Sequence, residues 1–257
     1  MADGAIRFPV ARNPSVRVIV VVHNQAGSLR ACMESLCASM THDTDVCFVD
    51  NASTDQTPGI LGAVQGAGMF RAACYLPFPE LIGLQDTTAD YLLFLDPDVA
   101  LCEGSLQAGL ALLKSDPGVG VVCGRVLASD GTVEEAGADV RLDGTVLPRG
   151  AGTGPDAPIL AARATVACCS TAFMMTPRRL FEEWMIFDLE NKPGAGRFVD
   201  YCLTLRGRGR DVVYEPGVTV KRLAGRPHAL PLPVDWQDAD RSLLVARHRD
   251  TLARLQR

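Results

Sequence analysis

Aromatic residues are scarce in this chain: Phe, Tyr and Trp together make up 6% of 257 residues. Its core must therefore be mostly Val, Leu and Ala. Long apolar runs are also missing. None approaches the ~20 consecutive residues that span a bilayer, and residues 1–14 (MADGAIRFPVARNP) hold no apolar stretch fit for a signal peptide. There is no excess of positive charge. Lys and Arg number 25 against 30 Asp and Glu, a net charge of −5, which argues against a protein that coats a polyanion. Motifs for stacking on bases are absent as well, so no nucleic-acid partner is expected. The nine cysteines form no CxxC pair and no Cys/His spacing of a zinc site. Cys47, Cys123, Cys168 and Cys169 sit inside apolar runs and read as reduced core residues, so a cytoplasmic protein is expected. What remains, 47% hydrophobic and 21% charged, is an ordinary globular composition in a chain long enough to bury its own core.

Alternation is the main pattern in the front half. VRVIVVV at 16–22, VCFV at 46–49, YLLFL at 91–95 and VGVVC at 119–123 read as buried strands. Between them, Leu29, Met33, Leu36, Cys37 and Met40 share one helix face, Pro58 stands near the start of a second helix, and Leu106, Leu110 and Leu113 mark a third. Strands alternating with helices give an α/β fold, a mostly parallel sheet with helices on both faces. After residue 124 the pattern is irregular. Asp130-Gly131 and Asp143-Gly144 read as hairpin turns, and 148–158 (PRGAGTGPDAP) as a loop. Thr176-Pro177 reads as the cap and first turn of a helix running to Trp184, 199–206 as a helix and 212–214 as a strand. A final helix is expected from about Asp235, carrying Trp236, Leu243, Leu244, Leu252 and Leu255. It is read as packed on the domain; a membrane-surface or partner helix is the rival. With no repeats and no linker, residues 1–257 read as a single domain.

In open parallel sheets ligands bind beyond the carboxyl ends of the strands. Three polar clusters fall there: His23-Asn24-Gln25, the run Asp50–Asp55 (DNASTD) and Asp96-Pro97-Asp98. Two neighbouring carboxylates repel unless a cation lies between them. Mg2+ or Mn2+, which suit carboxylates plus substrate phosphates, would make Asp96 and Asp98 a metal–diphosphate site. The plainer reading is a loop with two solvated aspartates. As exposed groups they would add little to packing, so Asp96→Ala and Asp98→Ala are expected to weaken metal-dependent nucleotide binding and leave the fold intact. The DNASTD run offers acceptors for ribose or base donors, or simply caps the next helix.

VIVVVHNQ, VDNASTDQT, YLLFLDPDV and LCEGSLQAGLALL together resemble the front half of the family 2 glycosyltransferases, inverting enzymes with the Rossmann-like A-type glycosyltransferase fold. EEAGADV, TAFMMTPRRLFEEWMIFD and VDYCLTLRGRGRDVVYEPGVTV are similar to the family's acceptor side, in its order and spacing, so the resemblance covers roughly 15–225. It implies a nucleotide-sugar-binding half (15–123), an acceptor-side half (124–225) and the C-terminal helix (235–257). The family's base and ribose contacts fall on Val22, His23, Asp50 and Asn51, and its metal- and diphosphate-binding Asp-x-Asp on Asp96 and Asp98. A divalent cation held there would offset the charge that grows on the leaving nucleoside diphosphate.

Three positions depart from that pattern. In LPFPELIGLQDTTADY, Gly83 fits, but Leu81 stands where a polar residue is expected. In Arg197-Phe198-Val199-Asp200, Asp200 matches the second Asp of the family's motif while Phe198 occupies the position of the base. A base accepting the acceptor's proton is worth ~10²–10⁴ in rate. Either Asp188, Glu190 or Asp200 substitutes or the acceptor needs little help from a base; Asp200, two residues on in a helix, points about 200° away from Phe198, which favours Asp188, with Glu190 second. Lys221 stands where many relatives have His, with His228 near in sequence.

The expected function is transfer of a sugar from a nucleotide-diphosphate sugar, with Mg2+ or Mn2+, to an acceptor that is a glycan, a lipid-linked group, a small molecule or a protein. The alternative is a glycosyltransferase-like binding domain impaired by Phe198. A nucleotidyltransferase would need a Gly-rich, basic phosphate loop, of which GSLR after the first strand is a poor version.

Overall fold

Val16–Val22 is β-branched along almost its whole length, and every other side chain points to the opposite side of the sheet. Such a strand is stable only when both of its faces are covered. The computed structural model, which describes residues 5–184, 196–223 and 238–256, covers both. In chain order the front half runs β1 (Val16–Val22), α1 (Leu29–Ser39), β2 (Thr44–Asp50), α2 (Thr57–Gly62), β3 (Gly68–Arg71), α3 (Glu80–Gly83), β4 (Tyr91–Phe94), β5 (Val99–Leu101), α4 (Ser105–Ser115) and β6 (Val119–Leu127). The back half continues with β7 (Val133–Glu135), β8 (Ala138–Val140), β9 (Val146–Pro148), a 3₁₀ turn (Pro158–Leu160), β10 (Ala164–Val166), β11 (Met174–Pro177), α5 (Arg178–Trp184), α6 (Gly196–Gly207), β12 (Asp211–Arg222) and α7 (Asp238–Leu255).

One sheet carries strands of both halves in the order β10-β12-β6-β11-β4-β1-β2-β3, with β5 paired to β12 and β7 to β6; β8 and β9 form a separate hairpin. β1, β2, β3 and β4 are mutually parallel, as are β6 and β12, while β11 runs antiparallel between β4 and β6. Val18 and Val20 of β1 join Leu29, Met33, Leu36, Leu106 and Phe173 in one apolar layer. Ile19, between them, joins Phe94, Phe181, Tyr201, Leu203 and Leu252 in the other. Helices α1 and α4 cover the first face; α5, α6 and α7 cover the second. Close approach explains two glycines. A Cβ on Gly83 would lie 2.6 Å from the Ile19 side chain, and one on Gly124 would lie 2.3 Å from Val218, where β12 bulges against β6.

Several elements differ from the sequence expectation. β6 runs four residues past Cys123, and β12 extends from Asp211 to Arg222 around its bulge. β3 has all four residues exposed, an edge strand without the alternation that would betray it. Thr176 is not a helix cap. It lies in β11, and its hydroxyl donates to the Gly120 carbonyl (2.7 Å) and bonds Tyr201 Oη (2.8 Å), because the helix starts only at Arg178. Cys47, Cys123, Cys168 and Cys169 are buried free thiols. Helix α7 buries Leu244 and Leu252, as expected of a packed helix; Trp236 lies outside the described residues. No described helix is long and apolar enough to cross a membrane.

Candidate functional site

Because β1, β2 and β4 are parallel, their carboxyl ends open on the same edge of the sheet. Val22 is fully buried at the end of β1. His23 Nδ1 bonds the Asn51 carbonyl (2.8 Å), and its ring meets Tyr75 edge-on at 5.5 Å. The two loops are stitched together: Asn24 N donates to Ser53 Oγ, Gln25 N to Thr57 Oγ1, and Thr54 N to Asn24 Oδ1. Asn24 (φ 54°) and Ala52 (φ 63°) take up left-handed backbone in these turns. Asn51 is occupied structurally, since its side-chain amide exchanges two hydrogen bonds with the backbone of Leu76. Asp50 is different. Its Oδ1 accepts from Ser53 N (2.9 Å), while Oδ2 is buried with no hydrogen bond among the described residues and is ion-paired to Arg71 Nε at 3.4 Å. A buried carboxylate oxygen without a donor costs free energy, and a ligand hydroxyl or N–H would satisfy it.

The Asp96-Pro97-Asp98 turn is not solvated. Asp96 is 3% exposed and Asp98 2%, so the expectation that they are exposed is corrected, and with it the ground for expecting their removal to spare the fold. Asp96 Oδ1 accepts from Thr171 Oγ1 (2.7 Å). Arg222 Nη1 donates to Asp98 Oδ1 (2.6 Å) and to Asp96 Oδ2 (3.4 Å), while Nε and Nη2 both reach Glu134 Oε2 (3.2 and 3.1 Å). The Asp96 carboxyl is pushed up to about 7, chiefly by burial, against the pull of Arg222 and with a further push from Asp98. The same carboxylates raise Arg222 above its ordinary value against the effect of burial. Next to Glu134, Glu135 points inward and takes both the backbone N–H and the hydroxyl of Ser170, and burial raises its carboxyl.

Arg222, Glu134, Thr171 and Ser170 are site residues that sequence reasoning missed. Period-two alternation carried the signal for Arg222: Val218, Val220 and Arg222 are buried, whereas Lys221 is exposed. At this end of β12 Arg222 faces inward, while Lys221 faces solvent. β12 pairs Arg222 with Val99 of β5, and Leu223 N donates to the Asp98 carbonyl (2.7 Å), which sets the guanidinium over the turn.

In the back half, Phe198 is 3% exposed and packs on Phe94, centroid to centroid 5.4 Å. The Arg197 guanidinium lies 5.1 Å from its ring centroid and is bound to Glu80 of α3. Leu81, beside Glu80, is 37% exposed. Asp200 does not join the strand-end cluster. Its Oδ1 accepts from His248 Nε2 (2.8 Å) and Arg247 Nη1 (3.0 Å), so it docks α7, as the 200° turn from Phe198 requires. Asp188, Glu190 and His228 lie outside the described residues.

The donor set of the Asp96–Asp98 turn does not fit a divalent cation. A guanidinium already joins both carboxylates, and no group of three His, Cys, Asp or Glu side chains that could hold a metal occurs among the described residues.

Comparison with known proteins gives this site a context. The chain is 27% identical over 220 residues to the O-antigen biosynthesis protein RfbC of Myxococcus xanthus, a match covering 81% of this chain and 17% of that protein. The chain thus spans less than a fifth of that relative's length. A structure of GalNAc-T7 with UDP, GalNAc and Mn2+ matches with a TM-score of 0.63 at 14% identity, over 91% of this chain and 48% of that one. The mannosyltransferase PcManGT of Pyrobaculum calidifontis, in complex with GDP-Man and Mn2+, matches with a TM-score of 0.60 at 17% identity, over 86% of this chain and 61% of that one. These likenesses bear out the A-type glycosyltransferase fold, an α/β architecture with a mostly parallel sheet. The family model for glycosyl transferase family 2 matches residues 17–185, the whole of the strand-end cluster from His23 to Asp98 together with Glu134 and Thr171, and the chain belongs to that family.

Proposed function

We propose that this protein is a glycosyltransferase that takes a sugar from a nucleotide-diphosphate sugar and passes it to a hydroxyl acceptor. The observation that supports the reading is the buried Asp50 Oδ2, which has no hydrogen bond among the described residues and only the 3.4 Å ion pair to Arg71, at the end of β2 on the edge where β1 and β4 also end. Base and ribose would lie against Val22, His23, Asp50 and Asn51, with the diphosphate toward Asp96 and Asp98. Residues 15–123 then form the donor half and 124–225 the acceptor half, with acceptor choice left to its loops. Inversion at the anomeric carbon needs a proton acceptor on the hydroxyl. With Phe198 in the core and Asp200 held by α7, that role falls to Asp188, with Glu190 second.

The expectation of Mg2+ or Mn2+ is not carried into this reading, since the described donor set does not fit it. The second reading, a binding domain that does not turn its donor over, is favoured by the burial of Phe198 at the position of the base. One experiment separates the two. Thermal shift against UDP, GDP, CDP, ADP and their sugars should identify the donor, since a ligand at a hundredfold over Kd stabilises by ~2.7 kcal/mol. With that donor, Asp188→Asn should lower turnover at least about a hundredfold with little change in donor binding. Full activity in both Asp188→Asn and Glu190→Gln would refute the base assignment. A donor that binds and is never turned over would decide for the binding domain.

A further inference from the structure

The cation that a pair of strand-end carboxylates demands is present in this chain as a side chain. We propose that Arg222 is the resident cation of the Asp96–Asp98 pair, so that this turn holds no divalent metal and nucleoside diphosphate binding does not depend on one. The second half of this inference rests on the donor reading above; the first does not.

Three observations carry it. The first is contact: Arg222 Nη1 reaches Asp98 at 2.6 Å and Asp96 at 3.4 Å, with an arginine side chain 5% exposed. A hard divalent ion needs carboxylate oxygens at about 2.0–2.1 Å for Mg2+. To supply them, Asp98 Oδ1 would have to leave the guanidinium, and the ion would then lie beside a fixed positive charge. Arginine does not escape this by losing its proton, unlike histidine or lysine.

The second is anchoring. Nε and Nη2 are held from the far side by Glu134 of β7, and the backbone by the Leu223 N–H to the Asp98 carbonyl. The planar fork thus spans three segments, the β4–β5 turn, β7 and β12. It has no freedom to swing out without breaking contacts at both ends. The third is the donor set: among the described residues no third His, Cys, Asp or Glu completes a metal shell around the turn. Among the described residues, four of the five guanidinium N–H groups go to the three carboxylates.

The test uses the full chain and Mn2+ itself. Mn2+ is titrated into the protein and followed by the electron paramagnetic resonance signal of the free aqua ion. Wild type should bind no stoichiometric Mn2+. Arg222→His, which frees both carboxylates and adds an imidazole, should gain one site, lost again when Asp98→Asn is added. In parallel, UDP, GDP, CDP and ADP are titrated by calorimetry in Mn2+ and in EDTA, and the Kd should agree within about threefold. A stoichiometric Mn2+ site in wild type that Asp98→Asn abolishes would overturn the inference. So would a nucleotide affinity at least about tenfold tighter in Mn2+. A folded Arg222→His that gains no metal overturns it as well, because the arginine would not then be what keeps metal out. If Arg222→His does not fold, the wild-type titrations decide alone. If no nucleotide binds under either condition while wild type takes up no Mn2+, the donor reading fails and the assignment of Arg222 stands.

Discussion

Phe198→Asp restores a carboxylate where the family resemblance implies a base, and the packing around Phe198 sets the expected result. Phe198 is 3% exposed, wedged against Phe94 (5.4 Å), and Phe94 in turn packs on Phe181 (4.7 Å). Truncating such a ring costs about 3–5 kcal/mol in lost burial and cavity. Phe198→Asp adds a carboxyl that must be buried charged or held neutral. The cation beside it, Arg197, is already bound to Glu80. If burial raises the new carboxyl by about two units, keeping it charged near pH 7 costs a further ~2.7 kcal/mol. The sum, about 6–8 kcal/mol, is most of the 5–15 kcal/mol that holds a typical domain together.

The sign with pH follows from linkage. A carboxyl whose folded pKa is raised favours the folded state when protonated, so the variant's deficit should be smallest near pH 4 and grow as pH rises through the raised value. Urea denaturation at pH 5 and pH 8 against wild type measures both effects, and Phe198→Leu, which keeps most of the burial, should lose far less. A Phe198→Asp protein within about 1 kcal/mol of wild type would refute this reasoning. Faster sugar transfer by that variant would show that the side chain at this position faces acceptor rather than core.

Other predictions follow from the same contacts. Asp200→Asn removes the charge that holds His248 and Arg247; it should cost about 1–3 kcal/mol and loosen α7 in hydrogen exchange while leaving nucleotide binding unchanged, and a large fall in turnover at unchanged stability would count against its docking role. Glu135→Gln keeps an acceptor for Ser170 without a buried charge. Because burial raises Glu135 above its ordinary value, its stabilising contribution is full below about pH 4.5 and is lost as pH rises through the raised value, so the variant should match wild type in acid and equal or exceed it near pH 8. A wild type clearly more stable than the variant at pH 8 would contradict this. Arg222→Ala strips the counter-charge from three carboxylates and should cost about 3–5 kcal/mol, read as a fall in melting temperature of roughly 6–15 °C; a fall under 2 °C, on the order of 1 kcal/mol or less, would mean the guanidinium is not bound as described.

The sequence by itself determined the strand–helix alternation, and with it the sheet edge. VRVIVVV has no stable arrangement with a face in water, so it had to be a central strand covered twice over. Once β1, β2 and β4 run parallel, His23, Asp50 and Asp96 must emerge together. Those inferences need only local pattern and the two-sided burial of parallel sheets. Contacts distant in sequence were decided by tertiary structure alone. Nothing local to Asp-Pro-Asp announces that a guanidinium 124 residues on from Asp98 will neutralise it. That depends on β12 bulging, pairing antiparallel with β5 and presenting even-numbered residues inward, and on β7 bringing Glu134 to the other side of the fork. The fates of Thr176 and Asp200 have the same origin. A threonine before proline reads as a cap until its hydroxyl pairs with Tyr201, and an aspartate inside a family motif reads as a candidate base until α7 claims it. Hydrophobic periodicity is written along the chain because each strand must bury its own faces. The pairing of charges is not, because a buried charge needs only some partner, and which residue arrives depends on how the whole sheet closes.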